Sequence, residues 1–187
     1  MTLIRTTQPA TEPITLAEAK IQLRVDSDYE DTLITSMIKA ARIDCEQRLQ
    51  RTLITSGWTW KIDSFYGLRR LPMPNLLSVT SINYLDVDGV SQVLSPDTYR
   101  VTGIGGHGCI MPVDTWPETA DQLESVTIVY TAGYGTSVPE TLKFWMLLAI
   151  GDMYSNRERS SDRPVVPQNF ADSLLDPEKV WGCVPRI

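Results

Sequence analysis

A stretch near the N-terminus repeats apolar residues at the spacing of an α-helix. The repeat runs from residue 33 to residue 49 with a period close to 3.6. Its apolar members are Leu33, Ile34, Met37, Ile38, Ala41, Cys45 and Leu49. The opposite face is polar and carries Thr35, Lys39, Arg42, Glu46 and Gln50. The pattern predicts an amphipathic helix of about six turns with one face in the core.

Two pairs of residues have the spacing of a helix-capping box. Thr15 is followed three residues later by Glu18, and Ser27 is followed in the same way by Glu30. In such a box each side chain of the pair bonds the backbone N–H of the other residue. The sequence therefore predicts one helix after Thr15 and a second after Ser27.

The middle of the chain has the alternation of β-strands. "WTWKIDSF" places Trp58, Trp60 and Ile62 on one face. "LLSVTSINYLD" is apolar and β-branched, and Asp88-Gly89 after it is a hairpin signal. With the later segments, bounded by Gly and Pro, about six short strands are expected. They predict a small antiparallel sheet or sandwich.

A further helix, expected from Leu142 to Tyr154 and preceded by Pro139, is apolar nearly all round. One side carries Leu142, Trp145, Met146, Ala149 and Met153, and the other sides carry Phe144, Leu147, Leu148 and Tyr154. Such a helix must be covered on more than one face. In a chain of 187 residues the second cover is expected from a neighbouring subunit.

The C-terminal residues beyond Arg163 are irregular, with four prolines and scattered apolar anchors. They predict an extended arm that docks on another surface. The predicted interface residues are Phe144, Leu147, Leu148 and Tyr154 of the helix with Phe170, Leu174, Leu175 and Trp181 of the arm.

The predicted fold class is α+β. N-terminal helices and a long C-terminal helix form a helical body, with a central antiparallel sheet as an insertion. The predicted parts are an N-terminal arm (1–14), the helical body (15–56 and 137–160), the β-rich insertion (57–136) and an extended tail (161–187).

Composition narrows the possible functions. The net charge of −6 disfavours a protein that grips nucleic acid, because that affinity comes mostly from Lys and Arg. The longest apolar run, Phe144–Ile150, is far shorter than a membrane span. Three widely spaced cysteines argue against a disulfide framework and fit a reducing cytoplasm.

Candidate chemical motifs each lack a required part. Gly103, Gly105 and Gly108 match a dinucleotide-binding pattern, but the prolines that follow leave no helix to meet a phosphate. "TAGYGTSVPE" precedes a helix without the Gly-Lys-Ser/Thr of a P-loop. His107, the only histidine, lies in a glycine cluster near Cys109. One His and one Cys are too few ligands for a zinc site. The sequence predicts no catalytic residue, cofactor or metal site.

Asp86 and Asp88 resemble the start of a calcium-binding loop. The glycine comes too early, at Gly89, and no Glu stands at the twelfth position. A tight hairpin is therefore expected there instead.

The order of several motifs resembles the phage head–tail connector proteins, in the longer branch with a β-insertion. The matching segments are "PITLAEAKIQLRVD", "LITSMIKAARIDCEQRLQRTL", "WTWKIDSF", "LPMPNLLSVTSINYLDVDG", the Trp116-Pro117 pair and "VYTAGYG" with the helix after it. In the second segment family members carry an "I..AR...E...GR.L" pattern. This chain has Gln50 where relatives often have Gly.

The resemblance implies a structural protein without catalysis. Such proteins form a ring, typically of twelve copies, beneath the portal of a DNA-filled capsid. The implied partners are other copies of the chain, the portal protein and the next neck or tail protein. Genomic DNA would pass through the lumen without specific binding, and no membrane is involved. The implied location is the virion, after assembly in the host bacterial cytoplasm.

Three alternatives stay open at this stage. One is another neck or tail-completion protein, such as a stopper or tail terminator. Another is a DNA-packaging factor that binds DNA. The third is a small hydrolase or nucleotide-binding enzyme that uses His107, which a His107→Ala variant would expose by loss of activity.

Overall fold

The computed structural model describes residues 1–68, 70–135, 137–156 and 169–179. The chain divides into two compact units. The sheet unit contains Met1–Ala10 and Ile54–Tyr134, and the helical unit contains Thr11–Leu53 and the described part of Gly135–Trp181. The predicted α+β class is confirmed.

The helical unit contains four α-helices within the described residues: α1 (Leu16–Leu23), α2 (Asp31–Leu49), α3 (Glu140–Ser155) and α4 (Asn169–Ser173). Short 3-10 turns lie at Asp28–Glu30 and Asp176–Glu178. Helix α2 packs against α1 and α3, and α3 also contacts α1 and α4. The segment predicted as an extended tail therefore contains a short helix. Residues 161–168 and 180–187 lie outside the described residues.

One of the two predicted capping boxes forms. The Thr15 hydroxyl accepts the backbone N–H of Glu18 at 3.2 Å, and the Glu18 carboxylate accepts the N–H of Thr15 at 2.7 Å. The box predicted at Ser27 was wrong. Ser27 caps a 3-10 turn by accepting from the N–H of Tyr29, and Glu30 instead accepts a hydrogen bond from the Tyr154 hydroxyl.

Most of the predicted apolar stripe of α2 lies in the core. The buried residues of α2 are Ile34, Ile38, Ala41, Arg42, Cys45, Glu46 and Leu49. Leu33 is an exception, with 40% of its surface exposed. The assignment of Arg42 and Glu46 to the polar outer face was wrong, because they are only 5% and 4% exposed.

The described residues of the sheet unit form seven strands: β1 (Thr2–Thr7), β2 (Ser56–Ile62), β3 (Leu76–Leu85), β4 (Ser91–Val93), β5 (Tyr99–Thr102), β6 (Cys109–Pro112) and β7 (Val126–Ala132). The first sheet has the order β1-β2-β7-β3-β4, and β5 pairs with β6 in a second. All of these pairs are antiparallel. Trp58, Trp60 and Ile62 are buried on one face of β2, as predicted.

The N-terminal residues predicted as an arm include an edge strand. Thr2–Thr7 pairs with β2, with Thr2 opposite Lys61 and Arg5 opposite Trp58. The guanidinium of Arg5 lies 4.7 Å from the centroid of the Trp58 ring, a cation–π contact. Pairing with β2 therefore makes residues 2–7 part of the sheet.

The predicted hairpin joins β3 to β4. Gly89 has a φ of +78°, and its N–H donates to the carbonyl of Asp86. The Asp86 carboxylate accepts from the N–H groups of Asp88 and Val90 and from the amide of Gln92. The Asp86 side chain therefore organises the turn rather than a cation site.

Candidate interface surface of helix α3

Helix α3 is apolar on two sides, and the fully buried positions of the helix all lie on one of them. The buried residues are Leu142, Trp145, Met146 and Ile150, spaced by three and four positions. Leu142, Trp145 and Met146 belong to the side that the sequence groups together, whereas Ala149 and Met153 of that group are only partly buried. Ile150, which the sequence did not place on that side, is buried with them. Phe144, Leu147 and Leu148 lie on other sides of the helix, and we call these three the outer face of α3. Phe144 is 47% exposed, and Leu147 and Leu148 are partly exposed.

An exposed apolar face on a helix is informative because solvent-facing positions normally carry polar side chains. Clustered exposed apolar residues mark contact sites more often than scattered ones do. The polar residue nearest this face in sequence is Lys143, whose ammonium lies 2.9 Å from Glu140. The outer face could thus bind a partner through apolar contacts.

A groove of about 610 Å³ runs along α3 within the helical unit. Leu148, Ala149 and Met153 of α3 line it, together with residues of α1, α2 and α4. Arg48 of α2 lies at this groove, with its guanidinium 5.4 Å from the centre of the Trp145 ring. Arg48 also pairs with Asp44 at 3.1 Å and with Asp172 at 3.3 Å.

The other predicted interface residues divide into three groups. Tyr154 and Leu174 are partly exposed, and the Tyr154 hydroxyl donates to Glu30 of the same unit. Leu175 is only 1% exposed, so its side chain adds nothing to a surface. The side chain of Phe170 and all of Trp181 lie outside the described residues.

The glycine cluster between β5 and β6 is a turn, as expected. A β-carbon on Gly103, whose φ is +75°, would lie 2.0 Å from the His107 carbonyl oxygen. The cluster also bonds neighbouring backbone: the N–H of Gly105 donates to the carbonyl of Leu76 at 2.7 Å. Strand β6 follows at Cys109, so these glycines lead into a strand and not into a helix.

The loop before α3 is also a joint between elements. Gly133 has a φ of +142°, and a β-carbon there would lie 2.5 Å from the backbone nitrogen of Thr55. Lys143, the lysine nearest the helix start, pairs with Glu140, and that hydrogen bond raises the pKa of Lys143. The first turn thus carries its own carboxylate at the place where an anion would bind.

The acidic, thiol and imidazole side chains are dispersed over the described residues. Nowhere in the described parts of the chain do three or more His, Cys, Asp or Glu side chains come together to hold a metal ion. Burial raises the pKa of the Cys45 thiol to about 12, so Cys45 stays protonated at neutral pH. His107 is half-buried in the β5–β6 turn, where its backbone carbonyl faces the Cys109 thiol at 3.6 Å.

A buried ionic network lies at the centre of the "AR...E" pattern of α2. Arg42 donates from Nη1 to Glu46 at 2.8 Å and from Nε to Glu12 at 2.7 Å. The second oxygen of Glu46 accepts the N–H of Leu53 at 3.0 Å. These bonds fix the chain before α1 and the chain after α2 to one helix. Sequence patterning missed the network because Glu12 lies 30 residues from Arg42.

One family of known proteins matches part of this chain. The model of a family described as "Phage gp6-like head-tail connector protein" matches residues 13–75. This match confirms the predicted resemblance to head–tail connector proteins over that part of the chain. The comparison with curated proteins gives no match.

Solved structures of virus-like particles have the same fold. A chain of the "Virion of native gene transfer agent (GTA) particle" superposes with a TM-score of 0.80 at 20% identity, over 99% of this chain and 98% of that one. A chain of the "Neck of empty GTA particle computed with C6 symmetry" gives 0.81 at the same identity and coverage. The "Neck of native GTA particle computed with C12 symmetry" gives 0.74. At 20% sequence identity, these superpositions show that the chains share a fold.

No helix in the described parts of the chain has the length and hydropathy needed to cross a membrane.

Proposed function

We propose that this chain is a structural head–tail connector, which forms a ring beneath the portal of a phage or phage-like particle. The family match over residues 13–75 and the fold shared with chains of particle necks support this role. Both comparisons concern structural proteins, so we propose no catalytic activity for the chain.

The observation that carries the proposal is the outer face of α3. In a closed ring each copy offers two different surfaces, one to each neighbour. A helix that is apolar on two sides suits this arrangement, because its inward side fills the core and its outer face is left for the next copy. Phe144, Leu147 and Leu148 are therefore the proposed ring contact. Tyr154 and Leu174, which are partly exposed, are proposed at its margin.

The number of copies and the partners are part of the same proposal. Two of the related particle necks were computed with sixfold and twelvefold symmetry, and a ring of twelve is compatible with both. The ring would contact the portal protein on one side and the next neck or tail protein on the other. Phe170 and Trp181 are proposed to contribute to contacts outside the ring body.

DNA would pass through this ring without being bound. Each copy carries a net charge of −6, so a ring adds negative charge around a polyanion. Like charge denies DNA the ion pairs that hold it on a protein. The proposed location is the virion neck, and assembly would take place in the host cytoplasm.

Complementation of particles that lack this chain tests the proposal. The full-length protein should restore tailed, infectious particles, and electron microscopy should show a ring between portal and tail. A Phe144→Ser, Leu147→Ser double variant should fold normally but fail to form the ring. Ile43→Ser is the matched control, because Ile43 on α2 is 45% exposed.

Two outcomes would contradict the proposal. A chain that never joins portal-bearing heads would rule out the connector role. Equal loss of rings in Ile43→Ser and in the α3 double variant would remove the assignment to α3. A position farther along the neck in the micrographs would favour a stopper or a tail terminator.

A further inference from the structure

A notch with aromatic walls lies on the sheet unit. Its volume is about 390 Å³, and its main lining residues are Phe65, Tyr66, Val87, Trp116, Pro117 and Glu118. The rings of Phe65 and Trp116 stack with centroids 4.7 Å apart and planes 6° apart. Phe65 also meets the edge of Tyr84. The floor of the notch is therefore held in place by ring packing.

The wall of the notch is exposed. Tyr66 is 96% exposed and Val87 is 64% exposed, whereas Phe65 in the floor is 3% exposed. Burial of the exposed Tyr66 ring between a partner and the aromatic floor would be favourable, because it removes apolar surface from water. The notch falls in the size range of about 300–1,000 Å³ typical of ligand sites.

A carboxylate at the rim gives the notch a preferred charge. Glu118 lines the notch and is exposed, and no ion pair joins it to another residue within the described chain. Asp88, also exposed, follows Val87 directly. An occupant with a cationic end is therefore favoured over an acidic one.

The chain itself contains a basic, proline-containing segment that would suit an aromatic notch with an acidic rim. Arg163-Pro164-Val165-Val166-Pro167, which lies outside the described residues, joins a basic residue to two prolines three positions apart. A polyproline II helix has three residues per turn, so two prolines at this spacing share one side. Segments of this type bind aromatic-lined grooves, and they lose little entropy because proline already restricts them.

We propose that the aromatic notch binds the segment Arg163–Pro167 of another copy of this chain. Pro164 and Pro167 would pack on Tyr66 and Trp116, and Arg163 would pair with Glu118. Arg163 lies seven residues beyond Asn156, so the segment can reach about 23 Å from the end of α3. The binding itself does not require a ring. The inference rests on the proposed function in one respect only, which is that the copy supplying the segment is the neighbouring copy in the ring.

Peptide binding to the full chain is the first test. The host is a full-length variant with Pro164→Ser and Pro167→Ser, so that its own segment does not compete. A fluorescent peptide of residues 161–169 should bind with a dissociation constant in the micromolar range, measured by anisotropy. Tyr66→Ala in the host should weaken binding at least tenfold, and Glu118→Gln about threefold with a reduced salt dependence. Leu123→Ala is the control, because Leu123 is 81% exposed and lies outside the notch lining.

A second peptide tests the sequence of the occupant. Residues 182–187 also contain proline next to arginine but lack a second proline. This peptide should bind at least tenfold more weakly than residues 161–169. Stronger binding of residues 182–187, or no binding of residues 161–169, would overturn the proposal.

Mixing two complementary variants tests whether the segment comes from another copy. One carries Pro164→Ser and Pro167→Ser, and the other carries Tyr66→Ala. Both also carry Phe144→Ser and Leu147→Ser, which remove the proposed α3 contact. Sedimentation should show association in the mixture but not in either variant alone. Peptide binding without association in the mixture would overturn binding between copies. Because neither measurement needs a ring, failure here is distinguishable from failure of the connector role.

Discussion

Gln50 stands in a backbone conformation that favours glycine. It ends α2 with a φ of 52° and a ψ of 42°, which is the left-handed region, and its N–H donates to the carbonyls of Gln47 and Glu46. Non-glycine residues pay for this conformation, and glycine does not. The Gly that the resemblance implies at this position would adopt the conformation without that cost.

Gln50→Gly should therefore stabilise the chain by about 0.5–1 kcal/mol, as measured by urea unfolding. The gain is reduced by loss of the side-chain bond from Gln50 to the Gln47 carbonyl. Gln47→Gly is the matched control, since Gln47 is an exposed residue within α2. That variant should lose up to about 1 kcal/mol. A loss of stability in Gln50→Gly would contradict the argument.

Arg42 should contribute more to the free energy of unfolding than an arginine on the exposed side of a helix does, because Arg42 is buried. Arg42→Ala leaves Glu46 and Glu12 without their shared cation in a buried site, which should cost about 3–5 kcal/mol. Arg48→Ala removes two ion pairs whose side chains are roughly half exposed, together with the contact with Trp145, and should cost about 1 kcal/mol. Equal losses in the two variants, measured by the same urea unfolding, would show that the network is not buried in solution.

Arg42 and Glu46 also show where residue-level prediction stops. Period and polarity placed them opposite Ile34 and Ile38, on the solvent side. Their burial depends on Glu12 and on the N–H of Leu53, which satisfy the charges from outside the helix. Such partners cannot be read from the pattern of one helix.

At the level of elements, the two sides of α3 should respond differently to mutation. Ile150 is fully buried, so Ile150→Ala should cost about 2–5 kcal/mol from lost burial and the cavity that remains. Leu147 is partly exposed, so Leu147→Ala should cost well under half of that in the isolated chain. Thermal unfolding at low protein concentration would measure both. A large loss in Leu147→Ala would mean that its own chain already buries the outer face.

The β3–β4 hairpin should depend on pH through Asp86. Hydrogen bonds from Gln92, then from the backbone of Val90 and Asp88, hold the pKa of Asp86 below its ordinary value. Because the pKa is lowered by folding, the stabilisation is present above the ordinary carboxyl pKa. It is lost as pH falls through the lowered value. Gln92→Ala should raise the Asp86 pKa in an NMR titration, whereas Ser91→Ala should leave it unchanged.

Locally determined elements were predictable, and elements set by distant pairing were not. The Thr15 cap, the α2 stripe and the Asp88-Gly89 turn depend on neighbours within a few residues. Strand β1 depends on pairing with β2, at least 50 residues away, and the pattern of residues 1–14 alone predicts an arm. The aromatic notch was missed for the same reason. Tyr66 and Trp116 gave no periodic signal before the fold brought them together.

For the whole molecule, charge leads to a prediction about DNA. Ion pairs within the chain do not change its net charge, so a long polyanion meets a chain that carries −6. Electrostatic attraction to phosphates supplies nearly all non-specific DNA affinity. A chain with this charge should therefore not hold DNA, either as a single copy or in the proposed ring.

Duplex DNA should thus show no mobility shift with the full-length chain, even at low salt. Asp97, Asp114 and Asp121 are exposed, and each change to Lys alters the charge by two. The triple Lys variant therefore moves the net charge from −6 to zero and should begin to retard DNA at low salt. Retardation should disappear as salt rises, because released counterions drive such binding. A salt-sensitive shift with the unmodified chain would instead favour a DNA-packaging factor. In that case a local basic surface would have to outweigh the net charge.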